Sequence, residues 1–179
     1  SYHPAMRHVG PTRTELGLAT IMNLLGPLAN PAGVTRQVIG VADRHRALLV
    51  AQPLLRLGAE HALVVHGEVG MDEISPVGRT AVWEVRGGQV ATWTLDPADY
   101  DLEWDNLSEL AGGAPAENAE RIERLITGQP DEVARRAVIL NAGAAIYVAG
   151  LTADYGTAVR RAEGALAGGG AGRVLEGMR

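Results

Sequence analysis

The sequence predicts an α/β fold with a central, mostly parallel sheet, a β-hairpin and flanking helices. Three observations support this prediction. A strand-like run, a helical run and a second strand-like run follow one another between residues 36 and 66, an order typical of a βαβ unit. Two alternating segments separated by Gly87 and Gly88 predict a hairpin. Helical periodicity then dominates after residue 115, which places the remaining helices behind the last strand.

The βαβ unit is predicted to begin with a strand over residues 36–42. Asp43 is well placed to cap a helix over residues 44–57, because an aspartate side chain accepts hydrogen bonds from free N–H groups of the first turn. Gly58 is expected to end that helix. The next strand covers residues 61–66, and the crossover between the two strands should be right-handed.

The predicted hairpin strands are residues 80–86 and 89–95. Residues 96–105 follow them and carry five Asp or Glu residues, so this stretch is predicted to be a solvated loop. The apolar stretch 137–153 contains a single amide, Asn141. It is shorter than the ~20 residues that span a bilayer, and we expect a buried core helix there.

Three helices are predicted after the hairpin, over residues 116–127, from Asp131 through residue 148, and over residues 157–166. The first is indicated by one apolar face, formed by Ala119, Ile122, Leu125 and Ile126. Gly128 is its predicted stop. The glycine-rich residues 168–172 are predicted to form a frayed linker.

Composition limits the classes of function. The chain has 179 residues, 46% of them hydrophobic and 21% charged, which is ordinary for one globular domain. A formal net charge of -5 argues against a general nucleic-acid binder, since that affinity depends on basic side chains that neutralise phosphates. Cysteine is absent, which excludes disulfides and zinc–thiolate sites within this sequence and is compatible with a cytoplasmic protein.

Residues 66–75, HGEVGMDEIS, place the adjacent carboxylates of Asp72 and Glu73 in a glycine-bearing loop directly after a predicted strand. Ligands of open α/β sheets collect at the carboxyl ends of strands. Mg²⁺ prefers hard oxygen ligands and usually takes only one or two protein carboxylates. The pattern therefore indicates a magnesium and phosphate site, although an isolated Asp-Glu pair is more often a solvated acidic turn.

Two further segments, SYHPAMRHVGPTRTELG at residues 1–17 and NLLGPLANP at residues 23–31, stand before this loop. Together with residues 66–75 they resemble the anthranilate phosphoribosyltransferase family, in matching order and at matching separations. The resemblance covers nearly the whole chain. It departs at Met22, where an aromatic residue is usual, and at Ala19, where a basic residue is common.

The resemblance implies the C-terminal part of a nucleoside-phosphorylase/phosphoribosyltransferase-like α/β domain. Residues 1–179 are expected to form one partial domain, without the family's N-terminal helical domain and glycine-rich pyrophosphate loop. The isolated chain is therefore expected to be inactive. The resemblance also implies a complete enzyme that is a cytoplasmic homodimer, with no nucleic-acid or membrane partner.

The implied reaction transfers phosphoribosyl from phosphoribosyl pyrophosphate to anthranilate, with release of pyrophosphate, in tryptophan biosynthesis. Asp72 and Glu73 are expected to hold Mg²⁺, the implied cofactor. The anthranilate site is expected to involve four residues: Arg13, His3, Gly26 and Pro27. No residue is assigned as a catalytic acid or base, because a neutral aromatic amine needs positioning more than deprotonation.

The binding roles follow from side-chain chemistry. The guanidinium of Arg13 matches the anthranilate carboxylate in a bidentate fork. His3 could line the approach of anthranilate by stacking or by a hydrogen bond. Gly26 lets the backbone approach a flat ligand, and Pro27 fixes the following turn.

Two alternatives remain open at this point. A pyrimidine nucleoside phosphorylase-like enzyme shares the architecture, but its substrate has no carboxylate for Arg13 to bind. A non-enzymatic homologue that binds nucleic acid belongs to a different functional class. The acidic charge balance disfavours it, and it would leave Asp72, Glu73 and Arg13 without an explanation.

Overall fold

The computed structural model describes residue 10, residues 14–15, residue 17, residues 22–129 and residues 131–178. A single four-stranded sheet lies at the centre of this part of the chain, with the strands in the order β1-β2-β3-β4. The strands are β1 (Arg36–Gly40), β2 (His61–Gly67), β3 (Thr80–Arg86) and β4 (Gln89–Leu95).

The α/β class is confirmed, but the sheet is mixed where a mostly parallel one was predicted. Strand β1 pairs with β2 in parallel, while the β2–β3 and β3–β4 pairs are antiparallel. The physical reason lies in the connections, because parallel neighbours usually need a helical crossover. Only the β1–β2 connection has one, since residues 68–79 contain no helix and Gly87 and Gly88 join β3 to β4 directly.

Those two glycines confirm the predicted hairpin. Their φ angles are 58° and 77°, a left-handed conformation at both central positions that matches the right-handed twist of the flanking strands. The paired register runs from Arg86 opposite Gln89 to Thr80 opposite Leu95. The observed strands have the same bounds as the predicted ones.

Helix α1 (Met22–Leu28) precedes β1, and α2 (Ala47–Arg56) forms the crossover between β1 and β2. A short 3-10 turn, Arg44–Arg46, leads into α2. The predicted cap is confirmed, since the Asp43 carboxylate accepts a hydrogen bond from the backbone N–H of His45 at 3.0 Å.

Four helices follow the hairpin: α3 (Pro115–Ile126), α4 (Glu132–Val148), α5 (Tyr155–Ala167) and α6 (Gly170–Met178). Asp131 caps α4 as predicted, accepting a hydrogen bond from Ala134 N–H at 3.1 Å. On α3, Leu125 is buried but Ile122 is 56% exposed, so the predicted apolar face is only partly covered.

One prediction about an irregular segment is wrong, and another is incomplete. Residues 168–172 are not a simple linker, because α6 begins at Gly170 and packs on α5 and α3. The helix forms despite the low helix propensity of glycine, and it contacts both neighbours although none of its residues is buried. Residues 96–105 are not merely a solvated loop, since they include a 3-10 turn, Pro97–Tyr100, and bury Pro97 and Leu102.

The core lies on both faces of the sheet, and all seven residues of β2 are buried. Leu63 and Val65 face a cluster that includes Leu140 of α4. Ala62 and Val64 face the second cluster, which includes α2. Among the residues that the structure describes, no helix has the length and apolar character needed to cross a membrane.

Candidate functional site

The carboxyl ends of β1 and β2 form one corner of the sheet. The backbone N–H of Val41 donates to the carbonyl of Val65 at 2.9 Å, which extends the parallel pairing beyond the last residue of β1. His66 is buried, and its Nδ1 lies 2.8 Å from the carbonyl oxygen of Val41. Because a carbonyl only accepts, Nδ1 carries the proton. This contact ties the two strand ends together.

Residues 68–79, here called the acidic loop, fold back onto this corner. The N–H of Gly67 donates to the carbonyl of Met71 at 2.9 Å, and Glu68 N–H donates to Arg79 carbonyl at 2.8 Å. The loop backbone also lies directly on Gly40, where an added Cβ would overlap the carbonyl oxygen of Asp72. Only glycine permits this approach, so Gly40 positions the loop over the end of β1.

Helix α4 holds the loop from the other side. Asn141 Oδ1 accepts a hydrogen bond from Ile74 N–H at 3.0 Å, and Asn141 Nδ2 donates to the Ile74 carbonyl at 2.8 Å. Both backbone groups of the residue after Glu73 are thus satisfied by one side chain.

A buried serine then closes the loop. Ser75 N–H donates to Thr80 Oγ1 at 3.1 Å, and Ser75 Oγ donates to the Val77 carbonyl at 2.8 Å. Both Ser75 and Thr80 are fully buried. The acidic loop is consequently a fixed element on both sides of the Asp72-Glu73 pair.

Most charged residues beside the pair have partners. Glu68 forms an ion pair with Arg44 at 3.3 Å, and Arg79 Nε donates to Asp96 Oδ2 at 2.9 Å. The hydrogen bond from Arg79 lowers the pKa of the Asp96 carboxyl below its ordinary value.

Asp72 and Glu73 differ from these neighbours, because both are exposed. Within the described part of the chain, neither carboxylate has a hydrogen bond or an ion pair. Two adjacent anions with free lone pairs, on a loop with a fixed backbone, fit the oxygen-ligand chemistry of Mg²⁺. No group of three or more His, Cys, Asp or Glu residues that could enclose a metal occurs in the described ranges. A cation here would therefore depend on water and substrate oxygens for its remaining ligands.

The predicted anthranilate-site residues are only partly described. Arg13 and His3 lie outside the described residues. Gly26 and Pro27 lie in α1, and an alanine methyl at Gly26 would meet no atom within 4 Å. Pro27 lines a cavity of about 200 Å³ with residues near the start of β1, including Thr35. The structure does not bring this cavity together with Asp72 and Glu73, which lie at the other end of β1.

Sequence reasoning missed three residues that shape the corner. Asn141 carried a signal, since it is a lone amide in an otherwise apolar stretch. Gly40 also carried one, because glycine inside a predicted strand often marks a close backbone approach. The tie between His66 and the Val41 carbonyl depends on pairing between strands 25 positions apart, and no local pattern announces it.

A second polar cluster lies at the opposite end of β2. The carboxylate of Glu84 is 2.8 Å from His61 Nε2, and accepts hydrogen bonds from Tyr147 OH and Trp93 Nε1, each at 2.9 Å. Burial lowers the pKa of His61 despite the opposing effect of Glu84. Burial, followed by the hydrogen bond to Glu84, raises the pKa of Tyr147. This carboxylate is saturated by protein donors and has a structural role.

Comparison with known proteins agrees with this architecture. The family model described as "Glycosyl transferase family, a/b domain" matches residues 1–172. An anthranilate phosphoribosyltransferase of Rubrobacter xylanophilus is 47% identical over 98% of this chain and 52% of its own length. The chain thus spans about half the length of the curated relatives that it matches.

Solved structures show the same likeness. The crystal structure of anthranilate phosphoribosyltransferase from Thermus thermophilus matches with a TM-score of 0.89 and 44% identity, over 97% of this chain and 51% of that one. The enzyme from Saccharomyces cerevisiae in complex with PRPP and Mg matches with a TM-score of 0.83 and 30% identity, over 96% of this chain and 49% of that one. Because the a/b-domain model of the glycosyl transferase family matches nearly all of its length, this chain belongs to that family.

Proposed function

We propose that this chain is the magnesium-binding and anthranilate-binding part of an anthranilate phosphoribosyltransferase of tryptophan biosynthesis. One observation carries the proposal: Asp72 and Glu73 are exposed carboxylates, without a partner among the described residues, on a fixed loop at the carboxyl ends of β1 and β2. The names of its relatives and the magnesium complex of the yeast structure support the choice of substrates and metal.

In the proposed reaction, the amine nitrogen of anthranilate bonds to the anomeric carbon of phosphoribosyl pyrophosphate while the bond from that carbon to the pyrophosphate oxygen breaks. The nitrogen then releases one proton to water. Bound Mg²⁺ would supply neutralisation of the negative charge that grows on pyrophosphate. Asp72 and Glu73 would hold the ion with one or two oxygens, which would leave its other positions to phosphate and water. Their fixed loop orients these oxygens before the substrate arrives.

Anthranilate binding is assigned to residues near the amino end of the sequence. Arg13 binds the carboxylate in a bidentate fork, and His3 lines the approach to the ring. Gly26 allows close contact of the backbone with the ring, and Pro27 shapes the turn that follows. The amine is neutral and needs orientation, so no catalytic base is assigned.

The wider context is part of the same proposal. The chain forms one partial domain of a cytoplasmic enzyme that acts as a homodimer when complete. No segment of this sequence resembles the family's glycine-rich pyrophosphate loop, and we therefore expect the isolated chain to be inactive. Efficient turnover by the purified chain with both substrates and Mg²⁺ would contradict that expectation.

Ligand-dependent thermal unfolding tests the proposal. Phosphoribosyl pyrophosphate with Mg²⁺, and anthranilate, should each raise the melting temperature, because ligands that bind the native state stabilise it. Thymidine or RNA should not. Stabilisation by thymidine would favour a nucleoside phosphorylase, and stabilisation by RNA would favour a nucleic-acid-binding homologue.

Matched variants locate the metal. The double variant Asp72→Asn and Glu73→Gln should lose the magnesium-dependent part of the stabilisation. Glu120→Gln removes one exposed carboxylate of α3 and should retain it. Equal magnesium responses in both variants would overturn the assignment of the metal to the acidic loop.

A further inference from the structure

The structure assigns Asn141 as the positioning residue that holds Asp72 and Glu73 in place for the cation. This inference rests on the proposed function. Asn141 is the only amide in the stretch 137–153, and it lies on α4, 67 positions away from the residue that it contacts in the acidic loop.

The geometry fixes both ends of the amide. Oδ1 accepts from Ile74 N–H at 3.0 Å, whereas Nδ2 donates to the Ile74 carbonyl at 2.8 Å and to the Ala137 carbonyl at 2.9 Å. The reverse orientation would place a donor against the N–H and an acceptor against two carbonyls. Only one orientation of the amide satisfies all three partners.

This pairing controls the backbone immediately after the carboxylates. Ile74 is completely buried, so its N–H and carbonyl need protein partners. Asn141 supplies both, and the Ile74 side chain is anchored in the core cluster beside α4. The backbone of Glu73 therefore cannot rotate without breaking the pairing.

The backbone on the other side of the pair is fixed by steric contact. The Asp72 carbonyl lies against Gly40 at the end of β1. Asp72 and Glu73 thus lie between two constraints, one from the sheet and one from α4. Removing Asn141 releases one constraint and leaves the carboxylates themselves unchanged.

Asparagine suits this place better than close substitutes. Aspartate has the same shape but would put a carboxylate oxygen against the Ile74 and Ala137 carbonyls. Alanine favours the helix yet leaves both Ile74 groups without the amide. Mutation of an outer residue that orients metal ligands typically weakens metal affinity by about 10- to 100-fold. Either substitution of Asn141 should therefore weaken cation binding.

The test is a Mg²⁺ titration of the full chain, followed by amide NMR of Asp72, Glu73 and Ile74, with hydrogen exchange of the Ile74 amide measured without metal. In Asn141→Ala and Asn141→Asp, we expect the magnesium affinity to fall at least about tenfold and the Ile74 amide to exchange faster. If the Asp variant fails to fold, the Ala variant decides the outcome.

Tyr155→Phe is the matched control. It removes a buried hydrogen bond of 2.8 Å from the hydroxyl of Tyr155, on α5, to the carbonyl of Leu140. Leu140 lies on α4 and directly precedes Asn141 in sequence. Its melting temperature should fall while its magnesium affinity stays within about twofold of wild type, since the loop pairing is intact.

The outcomes separate the two ideas. If the wild-type chain shows no magnesium shifts at Asp72 and Glu73, the proposed metal site itself fails. If wild type binds Mg²⁺ and both Asn141 variants bind it equally well, the positioning role is overturned. An equal loss of affinity in Tyr155→Phe would also overturn it, because general destabilisation of α4 would then explain the effect.

Discussion

The two ends of β2 carry carboxylates in opposite circumstances. At the beginning of the strand, Glu84 of the neighbouring β3 is largely buried and bonded to His61, Tyr147 and Trp93. Beyond its end, Asp72 and Glu73 are exposed and have no partner in the described chain. A saturated carboxylate stabilises the fold, whereas an unpaired one on a rigid backbone remains available to a cation.

The largest expected effect comes from disrupting the Glu84 cluster at the beginning of β2. Glu84→Ala should lower the free energy of unfolding by about 3–5 kcal/mol, because it removes a buried acceptor and leaves three donors without it. Urea denaturation measures this change. Any magnesium response of the acidic loop should survive in conditions where the variant is folded. A loss below about 1 kcal/mol would show that the Glu84 cluster is not structural.

The next largest effect comes from disturbing the backbone of the acidic loop while its carboxylates stay unchanged. Gly40→Ala should destabilise the chain by about 1–3 kcal/mol, since the new methyl group overlaps the Asp72 carbonyl. The same substitution at Gly164 of α5, where the space is open, should stabilise by about 0.5–1 kcal/mol. Chemical denaturation of both variants checks the contrast, and a harmless Gly40→Ala would refute the close approach.

A smaller change, the pH dependence of stability, comes from His61 in the Glu84 cluster. Burial lowers the pKa of folded His61 below its ordinary value of 6.5, so the unfolded chain binds more protons just below that pH. Stability should therefore be intact above pH 6.5 and fall as the pH decreases from there toward the folded pKa.

Denaturation at pH 7.5 and 5.5 measures this slope. His61→Gln should flatten it, while the exposed His45→Gln should leave it unchanged. A wild-type slope that is retained in His61→Gln would assign the effect to other groups.

The smallest effect comes from the exposed carboxylates of the acidic loop. Glu73→Gln should change the free energy of unfolding by no more than about 0.5 kcal/mol, because the exposed carboxylate has no hydrogen bond or ion pair with the described residues and lies beside another anion. The measurement is urea denaturation in the absence of divalent cations. A loss above about 1 kcal/mol would mean that Glu73 has a structural partner and is not free for a metal.

The sequence predicted most of the elements because their signals are local. Residues that are close together in sequence determine the bounds of the hairpin, the caps at Asp43 and Asp131, and the strand–helix–strand order. The acidic pair was also visible as a local motif.

Long-range contacts limited the remaining predictions. The sheet is mixed because β3 turns back after the acidic loop and pairs antiparallel with β2. The link from Ile74 to Asn141 and the contact between Gly40 and Asp72 join distant parts of the chain. Helix α6 forms over several glycines and contacts α3 and α5, which lie earlier in the chain. Tertiary packing decides each of these features, and local periodicity cannot report it.

The 67-residue separation between Ile74 and Asn141 has a kinetic consequence. The β3–β4 hairpin closes over a few residues, whereas this amide pairing requires α4 to dock beside the acidic loop, which closes a much longer loop of the chain. Before α4 docks, the backbone beside Asp72 and Glu73 lacks the constraint that Asn141 supplies. If the acidic loop binds magnesium as proposed, the ion favours chains in which α4 has docked, and its binding reports that step of folding.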